Sequence, residues 1–355
     1  MKQVAIVGIQ GVPARYGGFE SLVENIIGDN CSPGIQYTVF CSSKDMPEPI
    51  HAYKGCKLKY IPLHANGIQS IPYDIIAMIR TLRGYDTLLV LGTSGCIFLP
   101  VLKLLSGVRI IVNIDGLEHR RIKWGKAARW FLRLSEATAC KKADIIIADN
   151  KGIEDYVQDT YHRKAELVAY GGNHVIRNIA SENQQEILKQ YGLEKGKYVI
   201  SICRIEPENN CHMILQAFSQ TNKRLVFIGN WQHSGYAKKL KEKYGYRHNI
   251  SLLESIYDIN VLFTLRSNAG VYIHGHSAGG TNPSLVEAMF FDCPIICYDV
   301  TYNRATTNNL AVYFSNSIDL INMLSRPLIP NLLIKEYAKK NYMWRHIAAQ
   351  YEALY

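Results

Sequence analysis

Short apolar runs alternate with amphipathic segments along the whole chain, and this alternation restricts the fold more than any other feature. It is typical of parallel α/β sheets, in which a buried strand leads into a helix that covers the sheet. In the first half it predicts strands near residues 3–8, 36–41, 57–61, 86–91, 108–113 and 143–148, with helices near 18–28, 72–83, 97–105 and 124–141. In the second half it predicts strands near 198–203, 224–229, 249–253, 269–273 and 294–298, with helices near 210–220, 235–244, 283–291 and 316–324.

A polar stretch from Asn178 to Lys197 separates the two sets of elements. The 355 residues suffice for two domains, at about 150 residues each. The sequence therefore predicts two Rossmann-like α/β domains, residues 1–175 and 176–341, that face a central cleft. Ligands of such sheets bind outside the carboxyl ends of the strands, so the functional motifs should directly follow strands.

The charge balance favours an anionic partner. Lys and Arg number 40 against 30 Asp and Glu, a net charge of +10, which suits nucleotide phosphates, nucleic acid or an acidic membrane surface. No apolar stretch reaches the roughly 20 residues that span a bilayer, and the run from Val4 to Ile9 is too short for a signal peptide. Nine scattered cysteines without a Cys-x-x-Cys pair indicate reduced thiols rather than a zinc site. We therefore expect a cytosolic protein.

The first predicted strand runs into GIQGVPARYGGFE, Gly8 to Glu20. Glycines in such a turn let the backbone approach a ligand, and the following helix offers free N–H groups to an anion. The fingerprint G-x-G-x-x-G is absent, and the second strand ends without an acidic residue for a ribose, which argues against a dinucleotide-binding dehydrogenase. A purely structural turn is compatible with the same glycines.

The most informative stretch is HGHSAGGTNPSLVEAM, His274 to Met289. Its paired glycines form an open turn after a strand, Thr281 or Asn282 is a suitable N-cap, and Pro283 suits the first helical position. The start of this helix can therefore bind a diphosphate, and Glu287, about one turn further on, can accept hydrogen bonds from ribose hydroxyls. An ordinary capped helix with a surface glutamate is the alternative.

Several segments together carry a family resemblance. GGTNPSLVEAM resembles the nucleotide-sugar signature of GT-B glycosyltransferases of the family-4 class. GIQGVPARYGGFESLVENI resembles the DUF1972-type N-terminal region of a subgroup that includes bacterial rhamnosyltransferases of capsule and O-antigen assembly. Agreement extends to residues 113–124, 203–210 and 272–283, and residues 342–355 are similar to the last helix of that fold, which crosses back onto the first domain.

The resemblance implies a donor site in the second domain. Arg204 matches the arginine that holds the donor diphosphate, a task suited to a guanidinium fork. Asn209 stands where many relatives carry a second cation, a lysine. Gly279 stands where relatives often carry the first of two glutamates, and Ser277 is the nearest replacement. The implied donor-binding residues are Gly17, Gly18, Arg204, Asn209, Gly229, Asn230, Ser255, Ile256, Tyr257, Gly279, Gly280, Thr281, Asn282, Ser284 and Glu287. For Tyr257, a core position is an open alternative to ring contact with the base.

The residues expected near the reacting sugar are Asp115, His276, Arg204 and Glu287. Asp115 stands where relatives often carry a histidine that faces the transferred sugar, and a role as a helix N-cap is the alternative. His276 is a better candidate than His274 for contact with sugar or phosphate, although either could support the site from behind. Acceptor contacts are expected from Arg15, Tyr16, Glu118 and Arg120.

The resemblance also implies the reaction. Transfer proceeds with retention, and the leaving phosphate takes the acceptor proton. No Asp-x-Asp pair follows an apolar strand, so we expect neither a metal nor another cofactor, and arginine with a helix N-terminus compensates the phosphate charge. The preferred donor is dTDP-L-rhamnose, with UDP-hexoses and UDP-N-acetylhexosamines as alternatives. A nucleotide-sugar epimerase and a non-catalytic nucleotide-binding scaffold are the alternatives from other classes.

Residues 119–142 combine many basic residues with Trp124, Trp130 and Phe131. Helical spacing places Trp130 and Leu134 on one face, beside Arg129 and Arg133. This pattern fits either a solvated basic face or contact with an anionic membrane surface that carries a lipid-diphosphate acceptor. Nucleic acid is less favoured, because no helix-turn-helix, zinc or aromatic RNA-binding pattern accompanies the charge.

Overall fold

A computed structural model describes residues 1–15, 17–28, 32–46, 48–120 and 124–355. The chain divides into two compact units, one formed by Met1–Tyr170 with Trp344–Tyr355 and the other by Gly171–Met343. The sequence predicted that the first domain ends at residue 175 and that the second ends at residue 341. Within the described residues, no helix is long and apolar enough to cross a membrane, and every cysteine is a free thiol.

The described residues of the first unit form an eight-stranded sheet. Its strands are β1 (Lys2–Val7), β2 (Ile35–Ser42), β3 (Ala52–Tyr53), β4 (Cys56–Ile61), β5 (Thr87–Leu91), β6 (Arg109–Asn113), β7 (Ile145–Ala148) and β8 (Glu166–Leu167). Its helices include α1 (Gly18–Ile26), α2 (Ser70–Ile79), α3 (Leu99–Leu105), α4 (Lys126–Lys142) and α5 (Lys151–Tyr161). The strand order is β3-β4-β2-β1-β5-β6-β7-β8, and all neighbours are parallel except β3 and β4.

The second unit, all of whose residues are described, forms a six-stranded parallel sheet in the order β11-β10-β9-β12-β13-β14. Its strands are β9 (Tyr198–Ile202), β10 (Arg224–Ile228), β11 (Ile250–Leu253), β12 (Val271–His274), β13 (Ile295–Tyr298) and β14 (Val312–Phe314). Its helices are α6 (Ser181–Gln190), α7 (Cys211–Phe218), α8 (Gly235–Tyr244), α9 (Ile259–Ser267), α10 (Pro283–Ala288), α11 (Thr301–Thr306), α12 (Ser317–Leu324) and α13 (Leu332–Asn341).

The central strands are buried on both faces, which is why they are continuous apolar runs rather than alternating ones. In β1, the four residues from Val4 to Val7 are fully buried. The last helix, α14 (Trp344–Leu354), buries Trp344 and Tyr351 in the core of the first unit. The Asn113 side chain donates to the Tyr351 hydroxyl at 2.8 Å, so α14 contacts the carboxyl end of β6 directly.

Every strand and helix predicted from the alternation is present, but several further elements were not predicted. Strands β3, β8 and β14 are only two or three residues long. Helix α6 lies inside the stretch interpreted as a polar separator. It was not predicted because its sequence, SENQQEILKQ, buries only Leu188 and so lacks an apolar stripe. Helices α5, α9, α11 and α13 were also missed. Helix α10 ends at Ala288, three residues before its predicted end at 291.

Candidate active site

In the second sheet, the strand order reverses between β9 and β12, which are parallel neighbours although β10 and β11 lie between them in the chain. Such a switch point opens a crevice between the two loops that leave it, and ligands of α/β sheets bind there. These loops are residues 203–210 and 275–282. The structure therefore brings the segments of Arg204 and His276 to adjacent positions at one edge of the sheet.

Asn209 ties the two loops together. Its Nδ2 donates to the Arg204 carbonyl oxygen at 2.8 Å, and its Oδ1 accepts from His276 Nδ1 at 2.7 Å. The backbone N–H and the hydroxyl of Ser277 both donate to the Glu208 carbonyl oxygen at 2.8 Å. Where relatives carry a phosphate-binding lysine, this chain thus has a buried bridge that holds the backbone of Arg204 against His276.

The two histidines of this stretch have different environments. His274 is buried, its Nδ1 lies 3.4 Å from the Tyr272 hydroxyl, and its Nε2 has no hydrogen-bond partner among the described residues. Burial, together with nearby His276, lowers the pKa of His274 far below its ordinary value, so the ring is neutral. In His276 the proton lies on Nδ1, because the Asn209 oxygen is the acceptor of that hydrogen bond. His276, unlike His274, is bonded to the loop of Arg204.

The loops after β10 and β11 carry the residues expected to contact the base. The Gly229 N–H donates to the Leu253 carbonyl oxygen at 3.0 Å, which joins the two loops at their origin. A Cβ at Gly229 would collide with the Cys203 carbonyl oxygen, so only glycine lets this loop approach the Arg204 loop. The fully buried Trp231 donates its backbone N–H to Glu254 Oε2 at 3.1 Å and anchors the next turn.

Tyr257 is 73% exposed, which excludes the core position that the sequence left open. Ser255 and Ile256 are half-buried beside it, and Asn230 is exposed. Contact of the Tyr257 ring with a base is still a prediction, but the ring is accessible for it.

The start of α10 follows the predicted capping in part. Asn282 is the N-cap, and its Oδ1 accepts from the Ser284 N–H at 3.0 Å, whereas Thr281 is a buried residue before the cap. The N–H groups of Leu285 and Val286 donate to the Asn282 carbonyl oxygen. Because the cap takes up these N–H groups, the glycine turn just before it, with Gly280 at φ 86°, is the part of this stretch that we expect to approach a diphosphate.

Glu287 is not a surface glutamate. Its Oε2 is bonded to Nη2 of the buried Arg266, and its Oε1 lies 3.4 Å from His174 Nε2. Burial alone would raise the pKa of Glu287, but Arg266 and His174 outweigh it and hold the pKa below its ordinary value. The carboxylate is therefore ionised and fixed in orientation at neutral pH, which suits an acceptor of hydrogen bonds from hydroxyl groups.

In the first sheet the corresponding switch point lies between β1 and β5. The loop after β1 begins at Gly8, and a Cβ at Gly8 would collide with the Leu91 carbonyl oxygen at the end of β5. Close approach of the two strands therefore requires glycine there. The loop after β5, residues 92–95, belongs to the same crevice and was not singled out in the sequence.

Glu20 fastens the loop after β1. Its Oε1 accepts from the Gln10 N–H at 2.9 Å, and a Cβ at Gly17 would collide with its Oε2. Gly17 has φ 105° and precedes Gly18, the first residue of α1. The structure thus gives Gly17 a local packing role, while its predicted contact with the donor stays a prediction.

Asp115 has a left-handed backbone, with φ 59°, and its N–H donates to Asn113 Oδ1 at 3.0 Å. This conformation costs a residue with a side chain about 1 kcal/mol or more. Asp115 does not cap a helix, since the next helical turn begins only at Glu118. The N-cap alternative is therefore wrong, and the strained backbone directs attention to Asp115 as a functional residue.

Two of the residues expected to bind the acceptor have partners within the first unit. Glu118 Oε1 accepts from Trp124 Nε1 at 2.9 Å, and the Arg120 guanidinium lies 4.9 Å from the ring centre of Tyr156. Arg15 is exposed on the loop after β1. Tyr16 lies outside the described residues.

Family models match both parts of the chain. Residues 1–173 match a domain of unknown function, DUF1972, and residues 183–318 match glycosyl transferases group 1. The chain is a GT-B glycosyltransferase. Among curated protein sequences, none matches it.

Solved structures with the same fold cover almost the whole enzyme. Sucrose-phosphate synthase from Thermosynechococcus elongatus is 16% identical, with a TM-score of 0.84 over 100% of this glycosyltransferase and 98% of that chain. HepE from Anabaena in complex with UDP-glucose is 12% identical, with a TM-score of 0.77 over 100% and 99%. AviGT4, a glycosyltransferase involved in avilamycin A biosynthesis, is 14% identical, with a TM-score of 0.63 over 100% and 97%.

The buried Glu20 makes the stability of the glycosyltransferase depend on pH. Burial raises its pKa from 4.5 to about 7, with Asp115 and Asp45 adding to the effect. Between these values the unfolded chain releases a proton that the folded chain keeps, so stability falls as the pH rises. Glu20→Gln cannot ionise and still accepts from Gln10. Its free energy of unfolding, measured in urea, should be higher than that of the wild type by about 3 kcal/mol at pH 8.5 and by less than about 1 kcal/mol at pH 5.

Glu242→Gln changes the same charge at an exposed position and serves as the matched control for Glu20→Gln. Equal stability of the Glu20→Gln variant and the wild type at pH 8.5 would contradict a buried, proton-retaining carboxyl group at this position.

Sequence reasoning missed Arg266 and His174, which hold Glu287 in the glycosyltransferase site, and the buried Glu136 of the first unit. Glu136, buried on α4, accepts from the Tyr156 and Tyr161 hydroxyls at 2.7 Å and lies 3.0 Å from His119 Nδ1. An arginine or glutamate within an otherwise apolar helical face was the available signal, since such residues are rarely buried unless paired. Their partners are distant in the chain and could not be identified from it.

Proposed function

We propose that this glycosyltransferase moves a sugar from a nucleoside-diphosphate donor to a hydroxyl of a lipid-linked or growing surface polysaccharide. The observation that carries the proposal is the pair of loops at the second switch point, where Asn209 holds Arg204 and His276 together. The exposed Arg204 side chain, together with the backbone of the turn at Gly279 and Gly280, supplies positive charge for a diphosphate without a metal. HepE, which shares the fold, is described in complex with UDP and with UDP-glucose, which supports such a donor.

The proposed reaction retains the anomeric configuration. The bond between the anomeric carbon and the leaving phosphate oxygen breaks, and the acceptor oxygen bonds to that carbon on the same face. The acceptor proton passes to the leaving phosphate, so no protein nucleophile is needed. Glu287, fixed by Arg266 and His174, binds ribose hydroxyls. His276 contacts the sugar or phosphate, and Asp115 orients the sugar hydroxyls. Covalent trapping of the sugar on Asp115, Glu20 or Glu287 would overturn this mechanism.

The preferred donor is dTDP-L-rhamnose, supported by the likeness of the DUF1972-type region to rhamnosyltransferases of capsule and O-antigen assembly. UDP-hexoses and UDP-N-acetylhexosamines are the next candidates, since one or two hydrogen bonds decide between similar sugars. An acceptor of this kind places the enzyme in the bacterial cytoplasm, at the inner face of the cell membrane. Residues 119–142 would make the contact.

A thermal-shift screen of the purified protein against dTDP, UDP, GDP and NAD, with and without magnesium, tests the proposal. A ligand at about 100 times its dissociation constant adds about 2.7 kcal/mol of stability, which should raise the melting temperature by about 5 °C or more. We expect a magnesium-independent rise with one nucleoside diphosphate and none with NAD.

The activity itself is tested by incubating the nucleotide sugar of that base without an acceptor. A transferase should hydrolyse it only slowly, whereas rapid conversion to a second nucleotide sugar would indicate an epimerase. Nucleotide binding with neither hydrolysis nor transfer would indicate a scaffold.

A further inference from the structure

The outer layer of the first unit carries an apolar and cationic surface that the proposed chemistry does not use. We propose that this surface, the α3–α4 face, docks on an anionic lipid bilayer. Its apolar members are Val101, Leu104, Leu105, Trp130 and Leu134. The inference rests on the proposed function in one respect, because a lipid-linked acceptor requires the enzyme to work at a membrane.

Helices α3 and α4 lie side by side and run in the same direction. The Ile97 N–H, just before α3, bonds to Ser135 Oγ at 3.1 Å, and Lys103 Nζ, near the end of α3, bonds to the Lys142 carbonyl oxygen at 2.9 Å. Both helices bury one face, through Leu102 in α3 and Ala139 in α4. Their opposite faces therefore both belong to the outer layer of the unit.

This layer exposes large apolar side chains. The five members of the α3–α4 face are 41 to 84% exposed, and Trp130 is 68% exposed. Trp130 and Leu134 are one helical turn apart, opposite the buried side of α4, as the helical spacing predicted. The contribution of α3 was not predicted. Trp124 is not part of the face, because it is half-buried and its Nε1 donates to Glu118.

Most of the charges around the α3–α4 face are positive, although Lys103 is paired with Asp144 just after α4 at 2.6 Å. The exposed cations of the two helices are Lys103, Lys126, Arg129, Arg133, Lys141 and Lys142. The sequences of both helices contain one acidic residue, Glu136, which is buried and bonded to Tyr156 and Tyr161. Apolar side chains bordered by cations are the pattern of elements that lie in the interface of an anionic membrane, where tryptophan is enriched.

The same charges argue against other partners. If two copies of the chain met through this face about a two-fold axis, the six cations of one copy would lie against the same six of the other. Nucleic acid would satisfy the charge but offers no apolar phase for five side chains. A bilayer satisfies both features at once, and it requires no matching shape.

Vesicle sedimentation of the full-length protein tests the inference. We compare vesicles of phosphatidylcholine alone with vesicles of equal parts phosphatidylcholine and phosphatidylglycerol. The expected result is partition onto the anionic vesicles that is at least tenfold tighter. Most of this binding should be lost at 0.5 M salt, where the Debye length is roughly 4 Å.

Two double variants locate the surface. Trp130→Ser/Leu134→Ser should lose at least tenfold in vesicle affinity. Lys126→Ala/Arg133→Ala should lose about 25-fold, because each cation near an anionic surface contributes about fivefold. The matched controls are Ile318→Ser/Ile329→Ser and Lys238→Ala/Lys239→Ala, which change exposed residues of the second unit and should bind as the wild type does. All four should keep the nucleotide-dependent rise in melting temperature, which shows that they are folded.

Equal binding of the wild type to both vesicle types, or to neither, would overturn the inference. So would equal losses in face variants and controls, and so would a dimer in solution that the face variants dissociate. A wild type that binds anionic vesicles through this face but no nucleoside diphosphate would support the docking surface and contradict the proposed function instead.

Discussion

Arg204→Ala should abolish sugar transfer, with kcat/KM reduced by about a thousandfold. Arg204 is exposed at the carboxyl end of β9, and its backbone carbonyl is held by Asn209. Since Asn209 stands where the resemblance implies a second cation, the proposed site leaves most of the charge compensation for the leaving diphosphate to the guanidinium. Its loss should therefore affect the transition state more than it affects donor binding.

Steady-state transfer assays with the donor identified by thermal shift provide the measurement. Arg204→Lys keeps the charge without the fork and should show an intermediate loss. Arg326→Ala removes another exposed arginine, which follows α12, and is the control. The melting temperature without ligand is measured for each variant, so that a loss of transfer is distinguished from a loss of folding. Transfer at the wild-type rate in Arg204→Ala would show that the phosphate site lies elsewhere.

Glu287→Ala should lower the free energy of unfolding at pH 7.5 by about 3–5 kcal/mol, because it leaves the guanidinium of the buried Arg266 without its counter-charge. The folded-state pKa of Glu287 lies below its ordinary value of 4.5. The stability that this carboxylate contributes is therefore complete above that value and is lost as the pH falls. Urea unfolding should accordingly show a large difference between wild type and variant at pH 7.5 that shrinks below about pH 4.

The double variant Arg266→Met/Glu287→Met separates structure from ligand binding. Replacing a buried ion pair by apolar side chains of similar size is often neutral, so most of the lost stability should return. The rise in melting temperature with a nucleoside diphosphate should not return, because the carboxylate proposed to bind the ribose is gone. A restored fold that binds the nucleotide as tightly as the wild type would show that Glu287 is only structural.

The fold class and the main elements could be predicted because they depend on neighbouring residues. A continuous apolar run such as Val4 to Val7 is a buried parallel strand wherever it occurs, and Asn282 before Pro283 is a cap by local chemistry. Helix α6 shows the limit of this reasoning. Its residues form a helix although only Leu188 is buried, so no periodic pattern marks it.

The candidate site was predicted as a set of loops but not as a set of contacts. The motif order placed Arg204, His276 and Glu287 in one region, and β9 and β12 are indeed neighbours. The roles of Asn209 and Ser277, however, are to join the two loops through hydrogen bonds. The sequence showed only that Asn209 stands at the position of a lysine and that Ser277 is the side chain nearest to the glutamate missing at Gly279.

By itself, then, the sequence determined two parallel α/β sheets, the glycine-rich loops that follow their strands and the capped start of α10. Each of these depends on residues that are adjacent or one turn apart. Only the tertiary structure decided that Glu287 pairs with Arg266, 21 positions away, and that Asn209 bonds to His276, 67 positions away. Such contacts arise from the order of strands in the sheet, which brings together side chains whose separation along the chain carries no local signal.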